Sequence, residues 1–260
     1  MRALIEPSWN IIALNAAQWQ SSQWAVDETM EESHRLNQVL VNYLRLDNEV
    51  KTLRGGVRRM NDWGDKAQHS AAAYEIIKQA QKMSENESLT VIVLGALTNV
   101  ASALYIDPAI ANKLKVYWLG LSYEFEKGKS KRIDFNAVMD PQAAEIMLSS
   151  QVQMHIIPNN VSASMEFNYQ ETENHFEDIH PLTDFLVDRW YWHMDGSRYR
   201  RIIWDVALIE AMIHPEWAEE IKVTSFENPN VWLYRKIDAR SMKEEFFRTT
   251  VDHALQLREE

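Results

Sequence analysis

Residues 91–104, VIVLGALTNVASAL, decide how the rest of the chain is read. A short apolar run rich in β-branched residues meets Gly95, then the polar pair Thr98 and Asn99, then small residues at helical spacing. This is the pattern of a buried parallel strand, a tight turn and the start of a helix. In open α/β sheets ligands sit in the crevice beyond the carboxyl ends of such strands, which is where Thr98 and Asn99 fall. The plainer reading is an ordinary strand-to-helix turn with Thr98 as its N-cap, and spacing alone leaves both open.

The same alternation extends in both directions. Upstream, residues 3–5 read as the tail of a helix stopped at Pro7, residues 10–17 (NIIALNAA) as a buried strand, and residues 30–46 and 70–83 as amphipathic helices. Gly55-Gly56 with Arg58-Arg59 marks a turn; a basic pair beside glycines suits an anion, and a solvated turn suits it better. Downstream, residues 115–120 (KVYWLG) and 152–158 (VQMHIIP) are strands, and Asp140-Pro141 opens a helix. Residues 124–132 and 168–178 are charged or polar and read as loops, the second as the least ordered part of the chain. Residues 182–194, 205–213 and 241–257 are helical, and 223–226 with 231–237 alternate like a late antiparallel pair. Strands alternating with helices, joined by right-handed crossovers, give one α/β domain over residues 1–260, a mostly parallel sheet covered on both faces.

Composition narrows the function. A net charge of −11 argues against a nucleic-acid partner, because phosphate binding needs a basic face. With no cysteine, disulfides, thiolate metal sites and cysteine nucleophiles are all excluded, which suits a cytoplasmic location. No apolar run reaches the length of a membrane span, and the first residues lack the apolar core of a signal peptide. Ten tryptophans are enough both to fill a core and to line a pocket.

The familiar catalytic signatures are missing: there is no glycine-rich dinucleotide turn, phosphate loop or Gly-x-Ser-x-Gly elbow. His155 lies inside an apolar strand and reads as a satisfied core histidine. The strand ends instead offer Thr98-Asn99, Asp134 with Asn136, Asn159-Asn160 and Asp205, oxygen and amide groups suited to hydroxyl-rich ligands and hard cations.

Taken in order, LGALTNVASAL (94–104), KVYWLG, DFNAVMDPQAA (134–144), IIPNNVS (156–162) and WDVALIEAMIHPEW (204–217) resemble the inosine–uridine-preferring nucleoside hydrolase family, with matching spacing over nearly the whole chain. The resemblance implies that family's α/β fold, one calcium ion, hydrolysis of the N-glycosidic bond of ribonucleosides and a dimeric or tetrameric assembly. Carried over residue by residue, Thr98 would offer its backbone carbonyl and Asp205 its carboxylate to calcium. Asp134 and Asn136 would hold the ribose, where the family usually has Glu and Asn, and Gln20 falls near the family's loop asparagine. Trp204 stands where many members have a histidine that helps the base to leave, and an indole has no labile proton to give at neutral pH. Asp140 is expected to cap its helix.

The chain departs from the family at its front. The family opens with a central strand carrying Asp-x-Asp-x-Gly-x-Asp-Asp, which supplies most calcium ligands and the base that activates water, and nothing matches it here. The expectation is therefore an N-terminally shortened member with its first central strand absent, no catalytic base, weak or no calcium binding and little or no turnover. Of the explanations, a start codon placed too far downstream is favoured, and the upstream-extended form is expected to be a calcium-dependent N-ribohydrolase. The alternative is a noncatalytic relative that binds a nucleoside or sugar, or serves as an interaction domain. Backbone groups left buried by the missing strand would cost about 1–3 kcal/mol each, and base preference is expected to come from Trp204 and the segments around Glu124 and Glu171.

Overall fold

A computed structural model describes residues 1–193 and 195–259. In chain order the elements are β1 (Ala13–Asn15), α1 (Thr29–Tyr43), β2 (Lys51–Leu53), α2 (Ala71–Lys82), β3 (Leu89–Val93), α3 (Thr98–Ile106), β4 (Leu114–Leu119), β5 (Ser122–Glu124) and β6 (Lys129–Lys131). There follow α4 (Phe135–Met139), α5 (Pro141–Leu148), β7 (Gln153–Ile157), α6 (Asn159–Ser162), β8 (Glu166–Asn168), α7 (Tyr169–Phe176) and α8 (Pro181–Tyr191). The chain closes with β9 (Arg200–Ile202), α9 (Trp204–Ile213), β10 (Ala218–Val223), β11 (Val231–Ile237) and α10 (Ala239–Glu259). Short 3-10 turns at Arg2–Ile5, Pro108–Lys113 and Pro215–Trp217 punctuate them.

The main sheet has the order β10-β11-β7-β4-β3; its pairs are parallel except β10 with β11. Alternation along β4 shows why its sequence is apolar from Val116 onward. Val116 and Trp118 pack with α2, α3 and α5 on one face, and Tyr117 and Leu119 with α9 and α10 on the other. The late antiparallel pair is as expected, although its first strand begins at Ala218 and so lies upstream of the predicted 223–226.

The strands β1 and β2 pair with each other, parallel, and form a separate small sheet. The sheet thus stands in two pieces, and β1 and β3 share no ladder. The cost expected for buried orphan backbone groups is relieved because β3 is not buried: Thr90 is exposed and its neighbours are half-buried, within reach of water. At their carboxyl ends the two pieces converge. A Cβ on Gly95 would sit 3.3 Å from Ala17 Cβ, and one on Gly55 would overlap the Ala16 carbonyl oxygen at 2.0 Å, so glycine is required at 55.

Two polar stretches expected as loops are ordered. Residues 122–131 form the β5–β6 hairpin, pinned by ion pairs from Lys127 and Lys131 to Glu124. Residues 169–176 form α7, because Asn168 caps it by accepting from Glu171 N at 3.1 Å and Phe176 packs edge-on to Phe247. His155 is a satisfied core residue as read, bonded to Gln153 and Glu220 and stacked between Tyr117 and Trp232. The predicted helix 182–194 ends at Tyr191, and its last residue, Met194, lies outside the described residues. Among the described residues no helix is long and apolar enough to cross a membrane.

Candidate active site

Beyond the carboxyl ends of β1, β3 and β4 lies a cleft of about 790 Å³. It gathers Trp19, Ser22, Trp24 and Val26 from the β1–α1 loop, Glu32 and Leu36 from α1, and Leu94 and Leu119 from strand ends. Asp134, Phe135 and Asn136 at the start of α4, Asn159 of α6, Arg189 of α8, Trp192 and His193 just past it, and Trp204 and Asp205 opening α9 complete its walls. Asp134, Asn136, Trp204 and Asp205, separated by up to 71 positions in the chain, therefore meet in one place.

Asp134 is the N-cap of α4. Its Oδ2 accepts from Asn136 N at 2.9 Å and Ala137 N at 3.3 Å, while its Oδ1 accepts from Leu121 N. Burial raises its pKa, opposed by those backbone donors, which favour the carboxylate. Leu121 holds φ at +54°, a left-handed conformation that a branched side chain adopts at a cost, and that turn aims its N–H at Asp134. Asn136 donates its Nδ2 to Leu119 O at 2.7 Å and Leu94 O at 3.3 Å, tying β4 to β3. With the amide nitrogen spent on two carbonyls, Oδ1 is the atom it has for a ligand.

Asp205 lies in the first turn of α9, whose N-cap is Ile203, so it is not the cap. Burial pushes its carboxyl up to about 6, opposed by its own backbone N–H and by the Met1 ammonium, itself pushed down to about 6 by burial.

Thr98 does not join these walls. It is the first residue of α3 after the N-cap Leu97, it is buried, and its hydroxyl donates to Asp140 Oδ2 at 2.6 Å. Asp140 caps α5 as expected, accepting from Ala143 N at 3.0 Å, and also accepts from Met60 N at 3.0 Å. Gln20 is exposed and lies off the cleft; its neighbour Gln18 is buried instead, donating to Met139 O at 3.0 Å. The hairpin around Glu124 and the helix around Glu171 are not among the walls, whose aromatic lining comes from Trp19, Trp24, Phe135, Trp192 and Trp204. Sequence reading missed His193, Arg189 and the first-loop tryptophans; the high tryptophan count was the one signal pointing toward them.

The model of the family described as inosine-uridine preferring nucleoside hydrolase matches residues 28–252. The chain belongs to the inosine-uridine preferring nucleoside hydrolase family. Two rice (Oryza sativa subsp. japonica) proteins are similar to it: probable uridine nucleosidase 1 at 27% identity over 158 residues, 58% of this chain, and probable uridine nucleosidase 2 at 25% over 159 residues, 59% of this chain. The matched stretch spans about half the length of those relatives, 48% and 46%. The fold is that of the purine-preferring ribonucleoside hydrolase from Gardnerella vaginalis, with a TM-score of 0.74 at 16% identity over 98% of this chain and 94% of that one. The nucleoside hydrolase fold thus brings the aromatic walls and the Asp134–Asn136 pair to the carboxyl ends of the strands.

Proposed function

We propose that the cleft holds a ribonucleoside and that the reaction is hydrolysis of its N-glycosidic bond, releasing ribose and a free base. One observation carries this reading: Asn136 and Asp205 share a single cleft with five aromatic rings. A nucleoside needs both kinds of surface, hydrogen-bonding oxygens for the sugar hydroxyls and ring faces for the base. Asn136 Oδ1 accepts from a ribose hydroxyl, Asp134 fixes the turn that presents Asn136, and Trp204 offers an indole face to the base.

The described residues do not fit calcium. The ion takes about six to eight oxygens. Here Asp134 has its carboxylate committed to backbone N–H groups, and no three His, Asp or Glu side chains among the described residues converge to hold a metal. Asp205 is left as a lone carboxylate, and no step is assigned to a metal. Turnover is accordingly slow, because water meets no ion-lowered pKa at this site.

The test is calorimetric titration of the chain with inosine and uridine, with and without calcium, alongside a reducing-sugar assay. Saturable binding of at least one nucleoside, insensitive to a chelator and weakened about tenfold or more by Asn136→Ala, supports the reading. Binding without any release of ribose would reduce the function to recognition, and absence of binding by both nucleosides would remove it.

A further inference from the structure

We propose that His193 is the acid that protonates the departing base. The inference rests on the hydrolase reading above and concerns the step which Trp204 has no proton to serve. Heterocyclic bases leave poorly as anions, so a donor at the leaving nitrogen is the usual requirement of such a cleavage.

Of the other ionisable walls three are committed or unsuited, and Asp205, whose carboxyl burial pushes up to about 6, is the one rival acid. Asp134 accepts three backbone hydrogen bonds. Glu32 accepts from Arg35 Nε and Nη2 at 2.7–3.1 Å. Arg189 does not release a proton at any working pH. His193 differs because its other ring nitrogen is engaged. Asp195 N donates to His193 Nδ1 at 3.3 Å, and Asp195 Oδ1 lies 3.2 Å from the same nitrogen.

These two contacts serve the two protonation states. In the neutral ring Nδ1 accepts from the backbone N–H, which places the proton on Nε2; in the imidazolium Nδ1 donates to the Asp195 carboxylate instead. The imidazolium holds its transferable proton on Nε2, the ring nitrogen left for the cleft, and once that proton is given the ring keeps Nδ1–H on the Asp195 carboxylate until it exchanges with solvent. Asp195 is itself held, accepting from Ser197 N at 3.0 Å and paired to Arg201 at 2.5 Å. Burial raises its pKa, but the Ser197 N–H, Arg201 and His193 together outweigh this and hold the carboxyl below its usual range. The charged groups beside His193 are Asp195 and, through it, Arg201, and the cleft it lines also holds Arg189, Glu32, Asp134 and Asp205.

In the step, the C1′–N bond breaks and its electron pair leaves with the base nitrogen. That nitrogen takes the proton from the His193 imidazolium. Water adds to C1′ and sheds one proton to solvent, and His193 regains one from solvent, so charge and atoms balance.

The experiment compares two ribosides on the whole chain and on His193→Gln. Inosine needs a proton on its leaving group, whereas p-nitrophenyl β-ribofuranoside leaves as a stable phenolate without one. We expect His193→Gln to lower kcat on inosine by about a hundredfold or more, to change the nitrophenyl riboside by less than about threefold, and to flatten the acid-requiring limb of the inosine pH profile. Asp195→Asn should fall between the two on inosine. Equal losses on both substrates, or no loss on either, would overturn the assignment while leaving the hydrolase reading intact. A wild-type chain that cleaves neither riboside would overturn both.

Discussion

Asn99 ties the two pieces of the sheet together at Ala16. Its Nδ2 donates to Ala16 O at 2.9 Å, at the end of β1, while its Oδ1 accepts from Gly56 N at 2.8 Å, in the turn after β2. All three residues are buried, so neither backbone group has water as a substitute partner. Because β1 and β3 share no ladder, this amide and the Gln18 bridge to Thr98 and Met139 join what a strand would otherwise join. Asn99→Ala should therefore cost about 2–4 kcal/mol, two orphaned buried groups at roughly 1–3 kcal/mol each. Urea unfolding monitored by tryptophan fluorescence reads the loss. A change below about 0.5 kcal/mol would show that the seam is held by other contacts.

The aromatic lining makes a second expectation. If Trp204 receives the base, Trp204→Ala should weaken nucleoside binding by about tenfold, the scale of one ring-to-ring contact plus its buried area, while binding of free ribose changes little. Trp204→Phe should recover most of the affinity, because it keeps a ring face and removes only the indole N–H. Competition between inosine and ribose, followed by intrinsic fluorescence, separates the two effects. Parallel losses for ribose and inosine would move the base away from α9.

How much of this was legible beforehand follows from range of interaction. The strand 89–93 and the helix after it declare themselves by apolar pattern, since Leu89, Val91 and Val93 pack toward one core, Ile92 toward the other, and a local run suffices. The hairpin at Glu124 and helix α7 hide in polar sequence because they depend on ion pairs, one asparagine cap and the distant phenylalanines of α10. Asp134, Asn136 and Asp205 were readable through family resemblance, and the geometry brings them together. Trp19, Trp24 and His193 were not, because each sits on a loop whose sequence carries no period and whose place in the cleft is set by tertiary contacts such as Trp19 N donating to Thr29 Oγ1. Thr98, at the expected strand end, places its hydroxyl in the polar network under the cleft.

Asp205 gives a pH dependence whose sign is fixed. Its folded pKa, pushed up to about 6 by burial, exceeds the ordinary 3.8, so the fold favours the protonated acid. Between those values the folded chain binds more protons at this group than the unfolded chain, and stability from this group is lost as pH rises through about 6. The Met1 amine, pushed down to about 6 by its own burial, is mostly neutral at pH 7.5 and supplies no full counter-charge there. Asp205→Asn keeps the shape and cannot ionise. It should therefore unfold later than wild type at pH 7.5, by about 1–3 kcal/mol, and match it at pH 4, where both carry a neutral group. Urea midpoints at the two pH values decide it. A variant less stable than wild type at pH 7.5 would show that the carboxylate is held by a favourable partner, in which case a cation site at the head of α9 would have to be reconsidered.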